Sequence, residues 1–358
     1  MRHAHHSSIT ASRRQFVGGL AAFGATAIAA GRSALGQPAS SIGKLIDTHH
    51  HYYPPEIIRA WSDYSAARKQ MPLPPLVAHW QPKTSLAEMD GSGVASAVLS
   101  LASIPGVWFG LDAAGMRRMA RLCNEFAAKM AADHRGRYAR FAALPMPDVE
   151  GSLKEIEYAF DTLKADGINL PTSFGDRWPG DPAFKPVFEE LNRRKATVFF
   201  HPYAPNCCAG LKTGIPDGVL EFPYDTGRAI VSLLFSGTLA RLRGIKYLFS
   251  HGGGVMPMLA GRVAYFARLR KDIKEIAPQG VIAELQRLYY DTANAAWAPS
   301  MAGLSKLVPA SQIVFGTDFP YVKTQLQKEQ LLRDGLSPAA LAAIAHENAV
   351  RLVPRLQA

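Results

Sequence analysis

The chain reads as a (β/α)8 barrel, and three observations predict it. Short apolar, β-branched or aromatic-rich runs recur eight times between residues 45 and 318, with helical patterns between them. Several of these runs are apolar almost throughout, the composition of parallel strands covered on both faces. No Gly-x-Gly-x-x-Gly turn follows the first run, which argues against the rival doubly wound open sheet. At 358 residues and 48% apolar composition there is enough material for one large core or two medium ones.

Taken in order, the expected strands are 45–51, 94–101, 138–144, 167–171, 196–201, 245–251, 288–292 and 313–318. The stripe Met116, Met119, Ala120, Cys123, Ala127 and Met130 marks a helix after the second strand and places Cys123 in the core. Leu153, Ile156, Phe160 and Leu163 recur at helical spacing, with Glu155, Glu157 and Lys164 on other faces. Residues 184–195, 226–241, 256–276 and 337–351 read similarly, the last opening with Ser337-Pro338 as a helix start. One segment does not fit a minimal barrel. Residues 52–83 follow the first strand and are rich in Pro, aromatics and Met (Trp61, Tyr64, Met71, Pro72, Trp80), so a long irregular loop acting as a lid or pocket wall is expected there.

Residues 1–36 read as a twin-arginine export signal: Arg13-Arg14 precede an apolar, Ala/Gly-rich stretch, and Ala34-Leu35-Gly36 form a cleavage site. The mature domain is then 37–358, exported and periplasmic, with no membrane association once the signal is removed. His3, His5 and His6 go with the leader. Its loss also removes four of the 40 basic residues and no acidic ones, leaving 36 against 29 and lowering the formal charge from +11 to +7. No Lys/Arg-rich run interleaved with aromatics remains, which excludes nucleic acid as a partner and leaves small acidic molecules. Three cysteines form no disulfide framework; Cys207-Cys208 lies just beyond His201 and reads as ordinary loop packing, with a vicinal disulfide or a pocket-lining role as alternatives.

The chemistry concentrates at strand ends. In an extended strand alternate side chains share a face, so His49 and His51 project together and His50 points away. The fifth strand ends in His201, the sixth in His251 and the eighth in Asp318. Strand ends converge on one face of a barrel, so these residues can meet there. Imidazole and carboxylate donors without thiolate suit Zn²⁺ best, with Mn²⁺ or Fe²⁺ compatible. His251 precedes Gly252-Gly253-Gly254, which permit close backbone approach, and is better suited to acid/base work than to ligation.

With these residues in view the chain resembles the amidohydrolase superfamily, in the branch related to aminocarboxymuconate semialdehyde decarboxylase. The resemblance spans residues 45–353. It rests on Asp47-x-His49-x-His51, Met89-Asp90-x-x-Gly93-Val94, His201-Pro202, Ser250-His251-Gly252-Gly253, Gly316-Thr317-Asp318-x-Pro320 and Asn348-Ala349-x-Arg351-Leu352. It implies that His49, His51, His201 and Asp318 bind the metal and that His251 is the catalytic histidine. Binuclear relatives carry a carboxylated Lys at the end of strand four; Gly167-Ile168-Asn169-Leu170-Pro171 has none, so a single divalent metal is expected.

The resemblance further implies release of CO₂ from an aromatic, salicylate-like or muconate-like carboxylic acid without an organic cofactor. Asp318 or His251 would then supply the proton to carbon. Hydrolysis of a lactone, or hydration of a conjugated acid, is the alternative use of the same centre. Candidate substrate contacts are Arg262, Phe222, Tyr224 and Asp291, the last also suited to orienting a ligand histidine or a metal-bound water. Asp225 or Thr226 is the expected cap of the helix beginning near 226. A homodimer is compatible with the resemblance, although the sequence carries no decisive interface signal.

Overall fold

The computed structural model describes residues 43–69, 72–208 and 214–357. The leader at 1–36 and Met71 lie outside the described residues. Eight strands, β1 Leu45–His51, β2 Val94–Ser100, β3 Tyr138–Ala143, β4 Gly167–Pro171, β5 Thr197–His201, β6 Lys246–Phe249, β7 Tyr289–Asp291 and β8 Ile313–Val314, form one parallel sheet in sequential order. The segment after β8 closes the ring. Thr48 N donates to Phe315 O (2.9 Å), Asp318 N to His49 O (3.0 Å) and His51 N to Phe319 O (2.9 Å). The result is the (β/α)8 barrel that the alternating pattern predicts.

β6 and β8 stop earlier than the apolar runs suggest. His251 has a left-handed backbone (φ 55°), which no strand can continue through, so β6 gives way to a tight turn at His251–Gly253. β8 is only two residues long, and at Phe315 the backbone N–H leaves the ladder to donate to Ile344 O (2.9 Å).

Ile46, Val98, Ala139, Phe141, Phe199, Leu248 and Val314 fill the barrel interior. Leu352, Val353 and Leu356 from the chain's last turns pack against the same cluster. The larger outer layer sits between the sheet and the surrounding helices and includes Leu45, Leu99, Cys123, Phe200 and Phe249. β1 contains an irregularity that matters for function. Asp47 pairs with Ala97 and His50 with Leu99, so three steps on β1 oppose two on β2. Such a bulge reverses the inward–outward alternation. It lets both Ile46, within the core, and His49, whose ring centroid lies 5.1 Å from that of Phe199, face the interior.

Several helices depart from the periodicity. Residues 52–83 are mostly helical rather than irregular: helices Pro55–Ala67, Pro75–Ala78 and Pro82–Ser92 each start on a proline, whose missing N–H and fixed φ suit a first turn. The helix expected at 226–241 spans Glu221–Phe235 and then Thr238–Arg241. Asp225 is consequently inside it and is no cap; its buried carboxylate accepts from Thr172 Oγ1 (2.5 Å) and Trp178 Nε1 (2.8 Å). The pattern at 256–276 breaks after Met256–Ala267. Ser337 does cap its helix, Oγ accepting from Ala340 N at 3.2 Å. Among the described residues no helix is long and apolar enough to cross a membrane.

Candidate metal centre

At the C-terminal end of the barrel, His49 and His51 from β1, His201 from β5, His251 after β6 and Asp318 after β8 come together. His49 Nε2 and His51 Nε2 are 3.0 Å apart, and Asp318 Oδ1 lies 3.1 Å from the second and 3.3 Å from the first. His201 Nε2 stands 4.0 Å from the same oxygen, and His251 Nε2 lies 3.4 Å from Asp318 Oδ2. His50 points the other way, stacked on Phe319 at 4.4 Å.

The orientation of each ring is set by a partner on its far side. His49 Nδ1 meets Asp291 Oδ2 at 2.8 Å, both fully buried. The second Asp291 oxygen accepts from His251 N (2.8 Å) and Ala293 N (3.0 Å). His51 Nδ1 faces Ser100 O at 3.2 Å, and His201 Nδ1 faces Ser103 Oγ at 3.3 Å. With Nδ1 engaged as donor, each ring in its neutral form turns a bare Nε2 inward, the tautomer a cation requires.

Two contributors carry no obvious ligand signature. Asp47 clamps β1 to the β8 segment: Oδ1 accepts from His49 N and Thr317 N (both 3.0 Å), and Oδ2 from Thr317 Oγ1 (2.6 Å) and His50 Nδ1 (2.9 Å). Asn294 Nδ2 donates to Asp318 Oδ2 at 2.8 Å. Its left-handed backbone (φ 52°), which Asn tolerates better than most residues, is the only local signal that could have marked it.

Burial opposes charge on His49, but the charge and hydrogen bond of Asp291, aided by Asp318, outweigh it and raise the imidazole to about 10. For His51 and His201 burial dominates and lowers the pKa, well below the ordinary value for His201. Burial would also favour a neutral Asp318, yet the His201 and His251 rings and the positive His49 hold its carboxyl well below the usual range. Ionised Asp318 beside neutral His51 and His201 is the donor state metals bind, and His49 would have to release a proton to join them.

The residues fit a divalent cation on a structural test. His201 Nε2 and His251 Nε2 are buried with no hydrogen-bond partner, a deficit of about 1–3 kcal/mol for each such atom. Donor atoms of His49, His201, His251 and Asp318 all lie within 4.8 Å of one another. Nitrogens about 3 Å apart match neighbouring ligands around one ion with bonds of about 2.0–2.1 Å. β4 carries no lysine, and Asn169 on that strand instead accepts from Leu101 N (3.1 Å).

The centre forms the floor of a cleft of about 1530 Å³. Trp61, Tyr64 and Lys69 from the segment after β1 line one wall, and Phe222 and Met258 line another. Three candidate substrate contacts need correction. Arg262 is exposed, lies outside the cleft and places its guanidinium 4.9 Å from the Phe266 ring centroid, because its position on the helix turns it to solvent. Tyr224 is 49% exposed and also outside the cleft, since helix Glu221–Phe235 turns Phe222 inward and Tyr224 out. Asp291 lies behind His49, where no substrate reaches it and where it holds that ring in place, the other role expected of it. Cys207 and Cys208 are free thiols with sulfurs 3.7 Å apart, Cys208 at the cleft wall.

Comparison with known proteins agrees with this geometry. The amidohydrolase family model matches residues 46–355. Decarboxylase yanB of Aspergillus niger is 34% identical over 329 residues, covering 87% of this chain and 88% of that one. The 6-methylsalicylic acid decarboxylase acuB of Aspergillus aculeatus is 32% identical, covering 87% and 96% respectively. Among solved structures, 5-carboxyvanillate decarboxylase LigW from Sphingomonas paucimobilis shares the fold with a TM-score of 0.79 at 21% identity, covering 88% of this chain and 99% of that one. A parallel eight-stranded barrel with histidines and an aspartate gathered at its mouth, and relatives of this kind, place the chain in the amidohydrolase family, among its carboxy-lyases.

Proposed function

We propose that this protein is a metal-dependent, non-oxidative decarboxylase of an aromatic, salicylate-like carboxylic acid. The observation that carries the reading is the pair of buried, partnerless Nε2 atoms of His201 and His251 facing Asp318 at the floor of a cleft. His49, His51, His201 and Asp318 would hold the metal, and the donor set favours Zn²⁺, with Mn²⁺ compatible. Bound there, a divalent ion would serve as a Lewis acid for the charge left on the ring.

The chain's own residues supply the rest. Decarboxylation breaks the bond between ring and carboxyl carbon; CO₂ departs, the electron pair stays on the ring carbon, and a proton must take the vacated position. His251 Nε2, 3.4 Å from Asp318 Oδ2, lies beside the cleft and holds that proton. Asn294 fixes the same Asp318 oxygen. Phe222, Trp61 and Tyr64 exclude water and present aromatic surface to a flat ring. A muconate-like acid would meet the same groups, but the aromatic walls and the similarity to a 6-methylsalicylic acid decarboxylase favour a ring. A hydrolytic use of the centre is not needed.

Metal-loaded protein incubated with salicylate-, resorcylate-, vanillate- and benzoate-type acids should evolve CO₂ from at least one and leave the decarboxylated arene. A ring-opened or hydrated acid of unchanged carbon count would overturn the reading. Arg13-Arg14 before an Ala/Gly-rich stretch supports a periplasmic location after folding in the cytoplasm, tested by fractionation with and without the leader. A homodimer is tested by light scattering of the purified protein.

A further inference from the structure

At the rim of the cleft the tight turn Asn206–Cys208, in the loop that follows β5, holds two thiols side by side. Cys207 Sγ and Cys208 Sγ are 3.7 Å apart, within reach of a disulfide bond of about 2.0 Å once the side chains rotate. Cys207 is exposed to solvent, whereas Cys208 is half-buried and lines the cleft. Burial, helped by a hydrogen bond to the Glu221 carboxylate and by the neighbouring Cys207, pushes the Cys208 thiol up to about 12. A thiol held protonated is a poor nucleophile, so the accessible Cys207 is the one that meets an incoming electrophile first.

The turn is tied to its surroundings. Cys207 N donates to Asp176 Oδ1 (2.9 Å) and Cys208 N to Pro205 O (3.0 Å). Glu221 opens the helix Glu221–Phe235, whose second residue, Phe222, is a wall of the cleft. The contact between Cys208 and Glu221 therefore links the loop after β5 to that wall, and it exists only while Cys208 carries its proton.

Chain geometry says what kind of bond this pair would make. Neighbouring Cα atoms across a trans peptide are about 3.8 Å apart, short of the roughly 4.4–6.8 Å over which disulfides usually close. A bond between adjacent residues is strained for that reason, and strained disulfides are the readily reduced ones. The pair suits a bond that is made and broken, and is poorly suited to a permanent brace.

We propose that Cys207 and Cys208 are a reversible modification site for small-molecule disulfides, and that closing it loosens the cleft wall between the β5 loop and Phe222. With RSSR as the oxidant the chemistry balances. Cys207 sulfur attacks RSSR, forming a mixed disulfide and expelling one RS⁻, which takes up the Cys207 proton. Cys208 sulfur then attacks Cys207 sulfur and expels the second RS⁻; the Cys208 proton passes to the Glu221 carboxylate and on to that thiolate. Two protein thiols are oxidised and RSSR is reduced to two RSH. Asp176 and Glu221 contact the turn and Asp217 lies near Glu221, so a cationic disulfide is favoured over an anionic one. Only the effect on turnover rests on the decarboxylase reading above.

The test exposes purified metal-loaded protein to cystamine or to oxidised glutathione, then counts thiols after acid quenching and denaturation. Wild type should fall from three thiols to one, since Cys123 is fully buried, with a mass loss of two hydrogens and no adduct. Cystamine should act at least threefold faster than oxidised glutathione. Cys208→Ser should stop at a cysteamine adduct on Cys207, and Cys207→Ser should stay unmodified. Hydrogen–deuterium exchange should be at least threefold faster at 203–208 and 221–225 in oxidised wild type, revert with reductant, and ignore the oxidant in Cys207→Ser. For any acid that yields CO₂, oxidation should raise KM at least threefold and leave kcat within twofold. If no acid yields CO₂ while thiol count and exchange respond, the site stands and the decarboxylase reading falls. Three thiols after exposure, a lasting adduct on wild type, or unchanged exchange in the oxidised protein would overturn the proposal.

Discussion

Asp291→Asn isolates the group behind the metal centre with almost no change of shape. One Asp291 oxygen faces His49 Nδ1 at 2.8 Å, and the other accepts from the backbone N–H groups of His251 and Ala293. An asparagine offers one acceptor oxygen and one amide that only donates. If the oxygen stays with the two N–H groups, the amide faces His49 Nδ1 and forces it to accept. The proton then moves to Nε2, the nitrogen that must be bare to bind a cation. Loss of a carboxylate supporting a ligand histidine costs about 10–100-fold in metal affinity, or about 1.4–2.7 kcal/mol. The tautomer conflict puts this substitution at the upper end. Zn²⁺ affinity measured by chelator competition, with circular dichroism to confirm the fold, is the assay; a variant within threefold of wild type would refute the argument. A second readout follows from linkage. In the metal-free protein His49 is raised to about 10 from 6.5, and this contributes stability that is fully present below pH 6.5 and lost as pH rises through 10. Metal-free wild type should therefore lose stability across that window, and Asp291→Asn should flatten the decline.

His251→Asn should retain metal within about tenfold and lower kcat by about 10²–10⁴, whereas Asp318→Ala should impair both; a His251→Asn enzyme with most of its turnover would end the assigned role. Gly254→Ala places a Cβ 2.2 Å from Pro223 O at φ +60°, so it should destabilise by at least about 2 kcal/mol. Calorimetry should show this as a fall in Tm of about 1.5 °C per kcal/mol for a barrel of this size. Asp47→Ala strands buried donors on Thr317, His49 and His50, and should cost about 3 kcal/mol or more by denaturant titration. If its stability matches wild type, Asp47 is not the clamp between β1 and β8.

What the sequence determined by itself was what local pattern can encode. Continuous apolar runs separated by helical stripes specify buried parallel strands, and hence a barrel, because each run must be covered on both faces. Histidines and an aspartate at the ends of such runs, with His49 and His51 two apart, specify donor atoms that converge once the barrel closes. Only the tertiary structure decided the rest. The bulge between Asp47 and His50 reverses the alternation within β1, and nothing local marks it because it arises from register with β2. Asn294 and Asp47 act through partners supplied by other strand ends, so their roles appear only after closure. Arg262 and Tyr224 carried the right chemistry, but the rotation of their helices turned them to solvent. A residue's type and local period report which face of an element is buried; which side chains meet depends on strand register and helix rotation, and packing across the whole barrel sets those.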